Sequence, residues 1–291
     1  MKLLNDLCTH QLIQPPKFVP DNMHYAVITG SVAYGMATDT SDLDIYGFCI
    51  PPKEQIFRHL AGEIEGFGKP KNKFEQWIQH HIDFQNKQYD FTVFSIVKYF
   101  QLCMENNPNM IDTLFVPQNC IIHSTQVGNY VRDNRRQFLH KGSWFKFKGY
   151  AYSQLVKCKS QTREGKRKEV VEKWGYDLKF ASHVVRLLNE IEQILIEGDL
   201  DLQRNNEQLK AIRRGEWTLE QLDEYFNKKE PELETAYTNS PLRHSPDEDA
   251  IKAILLKCLE MHYGSLDKAI VIEGKEKQIL RKIKELCEEI I

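Results

Sequence analysis

The sequence has no apolar run approaching the roughly 20 residues that span a bilayer as a helix. Its first residues, Met1-Lys2-Leu3-Leu4-Asn5-Asp6, lack the apolar segment of a secretory signal. A membrane role is thereby disfavoured and a cytoplasmic location expected. Cysteine is sparse: Cys8, Cys49, Cys103, Cys120, Cys158, Cys258 and Cys287 are scattered, with no Cys-x-x-Cys pair and no His/Cys spacing of a zinc site. Reduced, structural thiols follow. His80-His81 are adjacent and share no face of a helix or strand, which argues against a metal role for the pair. Internal repeats and low-complexity tails are absent, as are the Gly-x-x-x-x-Gly-Lys-Ser/Thr and Gly-x-Gly-x-x-Gly loops that cradle phosphates in two common folds.

A length of 291 residues allows two domains, each with its own core. The net charge of -2 hides an asymmetry: residues 132 to 186 hold fifteen Lys or Arg against five acids, so this window carries +10 and the remainder -12. The middle third is where a polyanion would be sought.

The stretch richest in chemistry runs from Gly30 to Asp44. The apolar run Tyr25-Ala26-Val27-Ile28 leads into Gly30-Ser31, and Asp42 and Asp44 then flank Leu43 ahead of Ile45-Tyr46-Gly47-Phe48. On a strand, Asp42 and Asp44 point to one face and Leu43 and Ile45 to the other. Two carboxylates so close repel unless a cation such as Mg2+ sits between them. Asp90, on the predicted strand Tyr89 to Phe94, is the natural third. Three carboxylates converging from neighbouring strands can hold two divalent cations, the arrangement that phosphoryl transfer uses.

Along the chain, the pattern predicts a helix over 3–14, strands over 23–29, 43–50 and 89–94, a short helix over 32–36, a helix from the cap Ser95 to about 105, another over 110–115, and a last short strand over 120–123. Residues 53–87 are difficult to read, with 74–81 a strand or a helix. Beyond Ser124 everything reads as helix: 124–139, 143–159, 176–197, 205–214, 218–229, 247–263 and 275–290. A loop is expected over 230–246, which holds three prolines, and over 162–168. Lys179, His183 and Arg186 fall on one face of the 176–197 helix, opposite Val184, Leu187, Leu188, Ile191 and Leu195. Aromatics from Phe138 to Tyr176 interleave with the basic residues, as in surfaces that stack bases.

Gly30-Ser31, then Ser41-Asp42-Leu43-Asp44, then Asp90, resembles the nucleotidyltransferase superfamily typified by DNA polymerase β. The extended form Gly30-Ser31-x-Ala33-Tyr34-Gly35 looks like a bacterial and phage group associated with RNA repair genes. So do Asn107-Pro108-Asn109 with Asp112, Gly149-Tyr150-Ala151-Tyr152-Ser153-Gln154, Gly175-Tyr176-Asp177 with Lys179, Ala181, His183 and Arg186, and Ile212-Arg213-Arg214-Gly215-Glu216. The group often has Glu where this chain has Asp112. The resemblance implies an α/β (α+β) catalytic domain with a small mixed sheet over residues 1–125, followed by an all-helical domain over 126–291. It implies that Asp42, Asp44 and Asp90 are catalytic and bind two Mg2+ ions, with Mn2+ as a substitute. Gly30, Ser31, Ser41, Lys179, His183 and Arg186 would bind the NTP. The implied reaction transfers a nucleoside monophosphate to an acceptor hydroxyl and releases pyrophosphate. RNA, such as a tRNA end, is the leading acceptor. A small molecule or protein acceptor, and a binding module that has lost catalysis, stay open, as does the oligomeric state.

Overall fold

A computed structural model describes residues 1–39, 41–57, 73–160, 166–264 and 283. The helix expected over 275–290 therefore lies outside the described residues, apart from residue 283. In chain order the elements are α1 (Lys2–Thr9), β1 (Met23–Ile28), α2 (Gly30–Ala33), β2 (Leu43–Cys49), α3 (Lys53–Ile56), β3 (Gln76–Phe84), β4 (Lys87–Ser95), α4 (Ile96–Met104), α5 (Pro108–Phe115) and β5 (Ile121–Ser124). The helices α6 (Gln126–Asp133), α7 (Ser143–Lys159), α8 (Lys166–Trp174), α9 (Leu178–Glu197), α10 (Asn206–Arg213), α11 (Leu219–Asn239) and α12 (Glu248–Tyr263) follow. As expected, the strands end near Ser124 and the described chain beyond is helical.

The five strands form one mixed sheet in the order β3-β4-β2-β1-β5. Only β2 and β4 run parallel, with Asp44 opposite Asp90; the other three pairs are antiparallel. Alternation sorts the side chains to two faces. Ile45, Phe91 and Val93 pack on one face with Leu4 and Leu7 of α1. Val27, Phe48 and Phe94 face the other way, into the helices. Asp44 and Asp90 share this second face, so the carboxylates look toward the helical half.

The buried side chains on that face form one continuous set, from Phe48 through Leu114 to Leu188 and Ile254, so the core runs unbroken across residue 125. The chain also returns to the sheet at α12. His24 Nε2 and His262 Nδ1 lie 2.9 Å apart, and the Tyr263 hydroxyl donates to the Pro51 carbonyl. At the centre sits α9, capped by Asp177, whose Oδ1 accepts from the amides of Lys179 and Phe180 at 2.9 and 3.2 Å. Helices surround it, and even its polar Ser182, Asn189, Glu190 and Gln193 are buried.

Several segments differ from the pattern-based expectation, among them α1, which ends at Thr9 and not at residue 14. The helix expected over 124–139 breaks at Asn134 into α6 and a single 3-10 turn, Arg135–Phe138. The loop expected over 230–246 is helical as far as Asn239, with Pro231 inside α11. Packing overrides the proline there: Leu233 is buried, Lys148 Nζ reaches Glu230 at 2.6 Å, and Lys229 Nζ reaches Glu192 at 2.6 Å. Within 53–87, β3 and β4 form a hairpin turning at Gln85-Asn86, both at positive φ, 50° and 61°. The loop expected over 162–168 lies outside the described residues as far as 165, and Lys166 already begins α8.

Candidate active site

The site is assembled where β1 turns into α2 beside the start of β2. The Thr29 amide donates to the Asp44 carbonyl at 2.8 Å and ties the end of β1 to β2. Gly30 follows with φ at +65°, and a Cβ built there would collide with Asp44 Oδ2. Glycine is thus required by conformation and by the close approach of the carboxylate. The next loop closes on itself: Ser41 Oγ accepts from the Thr38 amide at 2.9 Å. Ser41, expected to touch the nucleotide, holds the turn that delivers Asp42.

A cavity of about 430 Å³ opens over this turn, lined among others by Gly30, Ser31, Ser41, Asp42, Asp44, Lys179, His183 and Arg186. Eight of the nine residues singled out from the sequence therefore surround one space. The ninth, Asp90, stands beside Asp44 on β4. Its Oδ1 accepts from the His81 amide at 2.7 Å, and its Oδ2 lies 3.6 Å from His80 Nδ1. A bulge between Gln79 and Ile82, with His81 at φ 57°, aims that amide at the carboxylate.

Asp44 is crowded by like charge. Asp44 is pushed above the usual carboxylate range, first by burial and then by the charges of Asp90 and Asp42, with Lys179 opposing. The donor set suits a hard divalent cation: carboxylate oxygens in a partly buried site whose mutual repulsion a cation would relieve. Among the described residues, no three His, Cys, Asp or Glu side chains stand grouped so that they could hold a metal ion.

The facing wall is cationic. Lys179 is pushed down, first by burial and then by Arg167 and Arg213, with Asp44 and Asp177 opposing. His183 lies well below its ordinary value, again by burial first and then by Arg186, Lys179, Arg213 and Arg167, so it is neutral at pH 7. Its Nδ1 sits 3.3 Å from Gln154 Oε1. Arg213 lines the same cavity. Sequence reasoning assigned it no role, although the Ile212-Arg213-Arg214-Gly215-Glu216 segment was the available signal.

Arg186 differs from its neighbours on α9. It is only 4 % exposed, and its Nη1 donates to Asp112 Oδ2 at 2.7 Å and to both Glu190 oxygens at 2.9 Å. Tyr34, from the glycine-rich stretch, donates to the same Asp112 oxygen at 2.6 Å and lies under the guanidinium, 4.4 Å from its ring centre. Two acids share one cation here, and both are raised, chiefly by burial. Arg186 thus forms the cavity's back wall through a buried network, which also gives Asp112 and Tyr34 their places.

Much of the basic window is neutralised from outside it. Arg136 pairs with Asp199, Lys146 with Glu105 at 4.0 Å, Lys148 with Glu230, and Lys159 with Asp223 at 2.7 Å. The +10 of the sequence therefore overstates the field this region presents.

A family model described as RlaP, RNA repair pathway DNA polymerase beta family, matches residues 11–255. The chain belongs to this family. It is accordingly a polymerase β-type nucleotidyltransferase and takes a nucleotide substrate. Members of the RlaP family are placed by that description in RNA repair. Among solved structures, a nucleotidyltransferase-like protein from Exiguobacterium sibiricum is similar at 10 % identity and a TM-score of 0.30, covering 88 % of this chain and 72 % of the other. No curated protein sequence matches.

Proposed function

We propose that the protein transfers a nucleoside monophosphate from an NTP to a hydroxyl of RNA, such as a tRNA end, with release of pyrophosphate. One observation carries the reading: a wall of mutually repelling carboxylates faces a wall of mutually repelling cations across one cavity. A metal-bound triphosphate relieves both repulsions at once. The family's place in RNA repair supports the acceptor.

In this reading Asp42, Asp44 and Asp90 would hold Mg2+, which when bound lowers the charge on the phosphates and acidifies the acceptor hydroxyl. The acceptor oxygen bonds to the α-phosphorus, and the bond to the α–β bridging oxygen breaks, leaving its electron pair on pyrophosphate. The acceptor proton passes to a site carboxylate and on to water. Gly30 and Ser31 seat the triphosphate, while Lys179 and Arg213 neutralise the pyrophosphate as it departs. His183, uncharged, donates or accepts a hydrogen bond there, and Arg186 fixes the wall behind it. Residues from 126 onward close over the nucleotide from the helical side.

Incubation of the protein with each α-labelled NTP, Mg2+ and total RNA tests this. Label is expected in RNA, and Asp42→Ala or Asp44→Ala is expected to abolish it; transfer that survives both variants would refute the assignment. The pairing of basic-window cations with acids elsewhere in the chain favours one rival, a small-molecule or protein acceptor. Label resistant to nuclease and sensitive to protease would establish it for protein.

A further inference from the structure

A second cavity, about 1090 Å³, adjoins the first along Thr38, Ser41 and Asp42. Its walls are Thr38, Asp39 and Ser41 to Leu43 on one side and the tip of the β3–β4 hairpin, Asp83 to Gln88, on the other. Its floor is apolar: Ile28, Val32, Leu43 and Phe84 are only half-buried, and the Phe84 ring is backed by His10, with ring centres 5.2 Å apart. Around the rim stand the amides of Gln85, Asn86 and Gln88. Asp39, Asp42 and Asp83 outnumber its one lining cation, Lys87.

This chemistry rejects a run of phosphates, which the three carboxylates would repel. It suits a single nucleoside, whose base lies on an apolar or aromatic floor while side-chain amides meet its polar edge. Position points the same way. Nucleotidyl transfer needs the attacking oxygen in line with the departing pyrophosphate and on its far side. Lys179 and Arg213, which mark the pyrophosphate side, line only the first cavity, whereas Asp42 borders both. Of Asp42, Asp44 and Asp90, Asp42 alone lines the second cavity, so a nucleoside seated there meets the first cavity at Asp42.

We infer that the groove between residues 41–43 and the β3–β4 hairpin seats the terminal nucleoside of the acceptor RNA. The inference rests on the proposed function, and moves acceptor-end recognition from the basic window to a slot whose lining is apolar and acidic. RNA ending in a photoreactive 4-thiouridine, crosslinked to the full chain beside a non-hydrolysable NTP analogue, is expected to label residues 84 to 88. Adducts confined to α7, or no adduct, would overturn it. Phe84→Ala, and the rim variant Gln88→Ala should the first fold poorly, are expected to raise the KM for RNA about tenfold or more, the scale of a lost stacking contact. Affinity for the NTP analogue is expected to stay unchanged. If wild type labels RNA and neither variant shifts that KM, the groove assignment fails and the function stands. If RNA is never labelled while the analogue binds, the function fails and the groove with it.

Discussion

Gly30 tolerates no side chain, because Asp44 occupies the space a Cβ would fill and the backbone is left-handed. Gly30→Ala is expected to cost about 1–2 kcal/mol from the conformation alone and to displace the carboxylate, lowering kcat/KM at least about tenfold. Thermal unfolding and steady-state kinetics check the two effects separately. Asp44 itself has a folded pKa above its unfolded value, so its ionisation opposes folding as pH rises past the ordinary carboxylate range. Asp44→Asn is therefore expected to raise the melting temperature at neutral pH while abolishing transfer; an unchanged or lower melting temperature would contradict the repulsion. The placement of Asp44 beside Asp90 was legible in the sequence because strand alternation fixes where such side chains point; Asp42 stands just before β2. Arg186 was only half legible. Helical periodicity placed it on the right face, but Asp112 and Glu190, which claim its guanidinium, are fixed by tertiary contacts that no local pattern encodes.

The elements divide by what determined them. Strands β1, β2 and β4 announce themselves through apolar and aromatic runs, and the caps of α4 and α11 through Ser95 and Thr218, whereas Asp177, expected inside the 176–197 helix, caps α9 instead. Thr218 completes a capping box with Gln221, donor and acceptor in both directions. Thr218→Ala is expected to lower stability by about 1 kcal/mol, read by denaturant unfolding. Pro231 was misleading, since proline ordinarily ends a helix; here Leu233 and the ion pairs of Lys148 and Lys229 hold α11 together past it. Pro231→Ala should restore a backbone donor and stabilise by up to about 3 kcal/mol. A destabilised variant would mean that a proline-induced bend is needed for packing. Strand β3 was the least legible because Ile78 is exposed while Gln79 is half-buried, against the usual alternation, and the bulge at His81 interrupts the pattern.

At the scale of the molecule, the sheet and helices share one core, closed by α12 returning to β1 through His24 and His262. His24 is lowered to about 4, by burial first and then by His262 and His123. His140, His183 and His262 are also lowered, with burial the leading cause in each. Their contribution to stability is complete above the unfolded value near 6.5 and is lost as pH falls toward their folded values. Melting temperature is expected to drop between about pH 6.5 and 4, and His24→Gln to flatten that slope; an unaltered slope would remove His24 from the account. The central claim, that opposed carboxylate and cation walls hold a triphosphate for nucleotidyl transfer, is tested most directly by comparing α- and γ-labelled NTP with RNA as acceptor. The account predicts that the α-label enters RNA, the γ-label leaves in pyrophosphate, and both events vanish in Asp44→Asn. A γ-label on the acceptor, or transfer indifferent to Asp44→Asn, would contradict it.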